Sequence, residues 1–189
     1  FKQAKSIAWD YMKQFTAKIP HTKFNETELR VDLPNGARIT LLGSESPDGL
    51  RGIYLDGCVI DEYANVNSKL FPEIIRPALS DRKGYCVFIG TPMGMNNNFY
   101  ELYQHAQGAE DWFNYKAKAS DTKIVDQDEL DKAKQVMGEK KYNQEFECDW
   151  IANIEGAVYG DVIAKLDDDK QLTRVPYDPA LPVSTAWDL

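Results

Sequence analysis

Apolar side chains recur at three- and four-residue steps from the first position: Phe1, Ala4, Ile7, Ala8, Tyr11, Met12 and Phe15. That spacing lines them along one stripe of an α-helix and predicts that this stripe is buried. Pro20 ends the run, since it lacks an amide proton for the helical ladder and its ring collides with the preceding turn. The period then changes. Leu29, Val31 and Leu33 alternate with polar residues, and Ala37, Ile39 and Leu41 do so again beyond Pro34-Asn35-Gly36. Two alternating runs around such a turn predict a β-hairpin, and a glycine-punctuated loop follows from Gly43 to Gly52.

Two short runs are apolar without alternation. Cys58-Val59-Ile60 ends in Asp61-Glu62, and Tyr85-Cys86-Val87-Phe88-Ile89 ends in Gly90-Thr91-Pro92. Both read as strands buried on both faces. Between them, residues 68–79 keep helical spacing despite Pro72 and Pro77, so strand, helix and strand form a parallel crossover of the expected size. The fold class is therefore α/β. Asn98 or a neighbour is expected to cap a helix through Ala106, Trp112 to Ala119 alternates like an edge strand, and Asp126 caps a helix running to about Met137. A further helix reaches Glu147, and Cys148 to Ile151 is strand-like. From Ala152 the pattern weakens into a linker or wrapped arm, before Val183 to Leu189 restarts a strand. There is no internal repeat.

Composition narrows the class. The 189 residues are 43% hydrophobic and 28% charged, which suits a domain with a real core and excludes a disordered tail or a fibre. The net charge of -8 shows no basic face, so a surface for DNA is either missing or assembled from scattered residues. Cys58, Cys86 and Cys148 lie far apart in sequence, without the close pairs of a zinc site or redox motif, and read as buried reduced thiols. No apolar run approaches the roughly 18 residues of a membrane span, and no secretion signal stands at the start. These features point to the cytoplasm. Opening on Phe1 inside a helical pattern and stopping at Leu189 inside a strand-like one, the chain is expected to be a fragment of something longer.

Asp61-Glu62 is the strongest chemical signal. Ligands of open parallel sheets gather at the carboxyl ends of strands, where two adjacent acids are otherwise costly. There Asp61 can hold the water shell of a triphosphate-bound Mg²⁺, and Glu62 can orient and deprotonate an attacking water. Equally, Asp61 can simply cap the next helix while Glu62 lies in solvent. Thr91, at the end of the next strand, can contact a γ-phosphate or the attacking water, or its Gly-Thr-Pro can be only a turn.

In order along the chain, Asn35-Gly36, Gly43-Ser44, Pro47-Asp48-Gly49-Leu50-Arg51-Gly52, Asp56 to Glu62, Arg76-Pro77-Ala78-Leu79, Gly84, Ile89 to Pro92 and Asn98 to Tyr103 together resemble the large subunit of tailed-bacteriophage DNA-packaging terminases. Asp56 to Glu62 is similar to the Walker B strand and Ile89-Gly90-Thr91-Pro92 to the ATPase coupling motif. Tyr142-Asn143-Gln144-Glu145 is similar to the segment that closes the ATPase domain. Trp187-Asp188 is similar to the first nuclease strand, whose Asp is a metal ligand.

The resemblance implies a P-loop NTPase of the ASCE type, with a mainly parallel sheet flanked by helices and truncated at its N-terminus, over residues 1–151. A linker over 152–182 and the first strand of an RNase H-like nuclease at 183–189 would follow. No G-x-x-x-x-G-K-[ST] loop stands in the sequence, and of the nuclease acids only Asp188 is present, so the fragment alone is expected to perform neither the ATP hydrolysis that drives DNA into a procapsid nor the cutting of concatemeric DNA that the resemblance implies for the full-length protein. The implied cofactors are ATP with Mg²⁺, and Mg²⁺ or Mn²⁺ for the nuclease. The implied partners are double-stranded viral DNA, the portal protein, the terminase small subunit and copies of the chain in a ring, in the host cytoplasm and with no membrane. Arg51, in the glycine-rich loop, is implied as a finger reaching a neighbouring subunit's phosphates, against the plainer reading of a loop tether to Asp48. Trp9, Trp112 and Trp150 read as core or rim aromatics, and His21 and His105 as isolated surface residues. A helicase-like P-loop ATPase, a prophage remnant or a structural adaptor are the competing readings.

Overall fold

The computed structural model describes residues 2–45, 47–151, 162, 165, 166, 169–171 and 180. Nearly all of the expected linker and the whole of the expected strand 183–189, Asp188 included, lie outside them. The chain divides into two compact parts, Phe1–Gly90 and Thr91–Leu189.

The first part opens with helix α1, Lys2–Thr16. Its buried side is not the expected stripe: Trp9 and Thr16 are buried, whereas Ile7 and Phe15 are 62% and 75% exposed and Tyr11 stacks on Phe15 in the open. A count of apolar positions misjudges the rotation because a single Trp outweighs several small residues in buried area. Trp9 packs with Leu29 and Val31, joined by Met12, Leu33 and Leu41, and its indole Nε1–H donates to Glu26 Oε2 at 2.6 Å.

The hairpin forms as expected from β2, Arg30–Asp32, and β3, Arg38–Thr40. In its turn, Gly36 takes a φ of +85°, and the amide of Leu33 donates to the Ala37 carbonyl at 2.9 Å. A third antiparallel strand, β1 at Lys23–Asn25, extends it on the other side of β2; its polar sequence carries no alternation that would have revealed it. Val31 sits between Phe24 and Ile39 in register and is 0% exposed.

Strands β4, Gly57–Ile60, and β5, Tyr85–Phe88, pair in parallel. The crossover between them contains a 3₁₀ turn at Tyr63–Asn65 and a π-helical turn at Phe71–Ile75 that continues into α2, Arg76–Ser80. Pro72 and Pro77 stand in the first turns of these last two segments, where a missing amide proton costs least. Leu70, Ile74, Ile75 and Leu79 are buried, and the rings of Tyr63 and Phe71 each meet Phe88 edge-on at 4.7 Å. The strands are not buried on both faces: Val59 and Tyr85 are 60% and 67% exposed, and Val87 shares their side. An unbroken apolar run cannot tell a strand covered twice from one covered once.

The second part contains helices α3, Asn98–Gly108, α4, Ala119–Thr122, α5, Gln127–Met137, and α6, Glu139–Phe146. The α3 cap is Asn97, whose side chain accepts from the amides of Phe99 and Tyr100; Asp126 caps α5 as expected. Ala119, Leu130 and Tyr142 form one core cluster, backed by Ala133 and Phe146. Trp150 is buried against Phe99, Tyr100 and Tyr103. Residues 112–118 run as irregular chain rather than an edge strand. Residues 148–151 are not a strand either: Cys148, at φ +54°, reverses the backbone so that the Asp149 amide returns to the Asn143 carbonyl at 3.0 Å, which closes α6.

Candidate functional site

The carboxyl end of β4 carries the candidate site. In a regular parallel ladder the strand residue facing Asp61 and Glu62 would alternate its amide and carbonyl between Ile60 and Glu62. Ile89 does donate its amide to the Ile60 carbonyl at 2.9 Å, but its own carbonyl accepts from Tyr63 at 3.0 Å, one residue beyond Glu62. The extra residue makes a bulge. Asp61 and Glu62 are thereby turned out of the ladder, and both are exposed.

The bulge has a backbone signature. Glu62 holds φ 50° and ψ 44°, a left-handed conformation that costs a residue with a Cβ roughly 1–2 kcal/mol. Strain of this kind clusters at active sites but is not confined to them, since His21, Leu29, Lys83, Lys123 and Cys148 also hold a positive φ. The Glu62 amide, freed from the ladder, donates to Asp61 Oδ1 at 3.0 Å. That bond orients the Asp61 carboxylate and leaves Oδ2 available.

Asp61 does not cap the following turn through its own position: the residue preceding Tyr63–Asn65 is Glu62, whose side chain makes no capping bond. Asp61 instead bonds the amide of Glu62, the residue at the head of that turn, and Glu62 reaches solvent. Among the described residues, no group of three or more His, Cys, Asp and Glu is placed to hold a metal ion. The donor set fits an ion such as Mg²⁺, which keeps several waters and is bound through one or two carboxylates together with substrate phosphates.

Thr91 is half-buried and follows β5 after Ile89 and Gly90. Two residues hold the chain beside it. Buried Gln144 donates from Nε2 to the Pro92 carbonyl at 2.7 Å, and Asn97 Nδ2 donates to the carbonyls of Met93 and Gly94. Gln144 belongs to the Tyr142-Asn143-Gln144-Glu145 segment, which lies in α6; a buried Gln in a charged helix is the signal that could have found it.

Arg51 is exposed, and its Nη2 stands 3.9 Å from Glu73 Oε2. Its loop thus meets the Phe71–Ile75 turn through Glu73. Trp9 and Trp150 are core residues and Trp112 is half-buried, as expected; His105 is not isolated, since its ring meets Trp112 at 5.5 Å. The thiols differ from expectation: none of the three cysteines is fully buried, and Cys58 lies directly opposite Cys86 in the sheet.

The fold is that of large-terminase ATPase domains. The ATPase domain of the Thermus phage P74-26 large terminase superimposes with a TM-score of 0.63 at 21% identity, over 78% of this chain and 72% of that one. The large terminase of a thermophilic bacteriophage, solved in complex with ADP, gives 0.58 at 16% identity over 74% of this chain and 36% of that one. In sequence, the large terminase subunit of Thermus phage G20c is 42% identical over 60 residues, 32% of this chain but 12% of that protein. Residues 1–162 match the family described as terminase large subunit, T4likevirus-type, N-terminal. The chain belongs to the terminase large subunit family.

Proposed function

We propose that this chain is the catalytic-carboxylate portion of the ATPase that drives viral DNA into a procapsid. The observation that carries the reading is the bulge at the end of β4, which exposes Asp61 and Glu62 side by side with Glu62 in a strained backbone state. Asp61, one of whose carboxylate oxygens accepts from the Glu62 amide, would hold the water shell of the Mg²⁺ that accompanies ATP. Glu62 accepts the proton of the attacking water as it adds to the γ-phosphate. Thr91 contacts the γ-phosphate and reports its loss to the helix that follows. Arg51 reaches the phosphates bound by a neighbouring copy in a ring.

The terminase with an ADP complex supports nucleotide binding here by likeness of fold. In the whole protein, residues 1–151 form the later portion of the ATPase domain and 152–182 a linker. Residues 183–189, which lie outside the described residues, would begin an RNase H-like nuclease in which Asp188 would be one ligand of a Mg²⁺ or Mn²⁺ pair. The substrate is double-stranded viral DNA, the partners are the portal and the small subunit, and the setting is the host cytoplasm. No helix among the described residues is long and apolar enough to cross a membrane.

The test is Glu62→Gln in the full-length subunit. The amide keeps the shape and cannot take the proton, so hydrolysis should fall by roughly 10²–10⁴-fold with ATP affinity nearly unchanged. Near-normal turnover would remove Glu62 from the mechanism.

A further inference from the structure

Cys58 and Cys86 are 28 positions apart in sequence and directly opposite in the parallel sheet. Each is one residue in from the start of its strand. Because side chains alternate across a sheet, Cys58 lies on the same face as Ile60, and Cys86 on the same face as Phe88. Both residues are partly exposed rather than buried. Neighbouring strands run about 4.8 Å apart, within the Cα separations of roughly 4.4–6.8 Å that disulfides bridge.

We propose that Cys58 and Cys86 form a dithiol modification site, which a low-molecular-weight disulfide closes into a cross-strand bridge between β4 and β5. The two thiols have distinct roles. Cys86 donates its S–H to Cys58, which holds the Cys58 thiol below its ordinary range and pushes Cys86 up. Cys58 is therefore the attacking group. Its thiolate attacks one sulfur of the oxidant, the oxidant's S–S bond breaks, and one thiolate leaves. Cys86 then loses its proton and attacks the Cys58 sulfur of the mixed disulfide, releasing the second thiolate. Two electrons pass from the cysteine pair to the oxidant, which becomes two thiols on taking up the two cysteine protons. Cys148 has no part in this: burial raises its thiol, and it serves as an internal control.

The bridge would join the two strands at a point three residues before Asp61. It requires no cofactor and no other cysteine. It also gives a role to two cysteines that local sequence would assign to an inert core and that stand partly exposed at paired positions.

The experiment uses the full 189-residue chain, treated with oxidised glutathione, alkylated, digested without reduction and analysed by mass spectrometry. The expected result is one Cys58–Cys86 linked peptide pair, lighter by two hydrogens, with Cys148 alkylated and dithiothreitol restoring both thiols. Cys86→Ser should trap glutathione on Cys58. Cys58→Ser should abolish the linked pair and leave at most a glutathione adduct on Cys86, because the closing partner is gone. In urea the selectivity should vanish and pairings with Cys148 appear. Separate glutathione adducts on Cys58 and Cys86 of the native chain with no linked pair, or native linkages to Cys148, would overturn the proposal. Failure of the ATPase reading leaves all of these outcomes unchanged.

Discussion

The amide of Tyr63 donates to the carbonyl of Ile89 at 3.0 Å, past Glu62, and this one bond makes the end of β4 a bulge. Tyr63 is buried and its ring rests against Phe88, so the bond and the ring contact anchor the same residue to β5. With Ile60 and Tyr63 both fastened, the two acids between them must leave the ladder. The strain at Glu62 is offset by that packing, which makes the conformation of the site a consequence of the core beneath it.

Glu62→Gly tests this separation of strain from chemistry. Glycine adopts the left-handed conformation without a Cβ penalty, though its freer unfolded chain opposes part of the gain. The substitution should raise unfolding free energy by about 0.5–1 kcal/mol in urea titrations of this chain. In the full-length protein it should abolish hydrolysis. A loss of stability would show that the Glu62 side chain, rather than its backbone, holds the bulge.

Gly57 and Gly84 provide a contrast within the same sheet. A Cβ at Gly84 would stand 2.8 Å from the Asp56 carbonyl oxygen and 2.9 Å from that of Leu55, and backbone cannot step aside. At Gly57 the clash is with the Tyr85 ring at 2.5 Å, on a side chain already 67% exposed and able to swing away. Gly84→Ala should therefore cost roughly 1–3 kcal/mol. Gly57→Ala should stay within about 0.5 kcal/mol of wild type. Equal effects in thermal and urea unfolding would contradict the assigned packing.

What the sequence discloses here follows from range. Asp61-Glu62 and the Asp126 cap are legible because the cue and its structural partner are neighbours: an acid pair closing an apolar run, an Asp before a helical period. The rotation of α1 is not, since it depends on Trp9 finding Glu26 and Val31 across the hairpin. Nor is the Cys58–Cys86 pairing, because the register of parallel strands is set by the packing of the crossover and leaves no mark on either strand. The bulge escapes for the same reason: Glu62 looks like any strand-end acid until Tyr63 meets Ile89.

Glu26 links the first core to pH. Its carboxyl lies below the usual carboxylate range, chiefly because it accepts from the Trp9 indole, with Lys13 adding a hydrogen bond and its charge. A carboxyl whose pKa is lowered on folding contributes stability above its unfolded pKa, about 4.3, and loses it as pH falls through the folded value. Unfolding midpoints should therefore decline as pH drops from about 5 toward 3. Glu26→Gln should flatten that part of the decline while lowering stability at neutral pH.

Buried Gln144 supports a prediction for the second compact part. Its Nε2 bond to the Pro92 carbonyl is made away from water, so Gln144→Ala leaves that carbonyl unpaired and should cost about 1–3 kcal/mol. Gln144→Glu removes the donor and, when ionised, sets a carboxylate against the carbonyl. It should be the worse of the two at pH 7 and recover in part on acidification, when the protonated acid can donate. Urea titrations at pH 7 and pH 4.5 provide the check, and a pH-independent deficit for Gln144→Glu would mean that the carbonyl has found another donor.

Arg51 and Glu73 stand 3.9 Å apart with both side chains at least half exposed, 57% and 50%. Pairs of that kind contribute roughly 0–1 kcal/mol, too little to explain a large loss of activity through loop tethering alone. If the pair is only a tether, Glu73→Gln and Arg51→Ala should weaken a full-length motor alike. If Arg51 serves a neighbouring copy, Glu73→Gln should stay near wild type while Arg51→Ala falls severely. Mixing then isolates the trans contribution. An Arg51→Ala subunit retains its own Glu62, and a Glu62→Gln subunit retains its Arg51, so a mixed ring contains interfaces in which an intact Arg51 faces an intact Glu62. Hydrolysis by the mixture should exceed the sum of the two variants assayed alone. Activity that stays at that sum across mixing ratios, with assembly verified by light scattering, would return Arg51 to the role of a partner for Glu73.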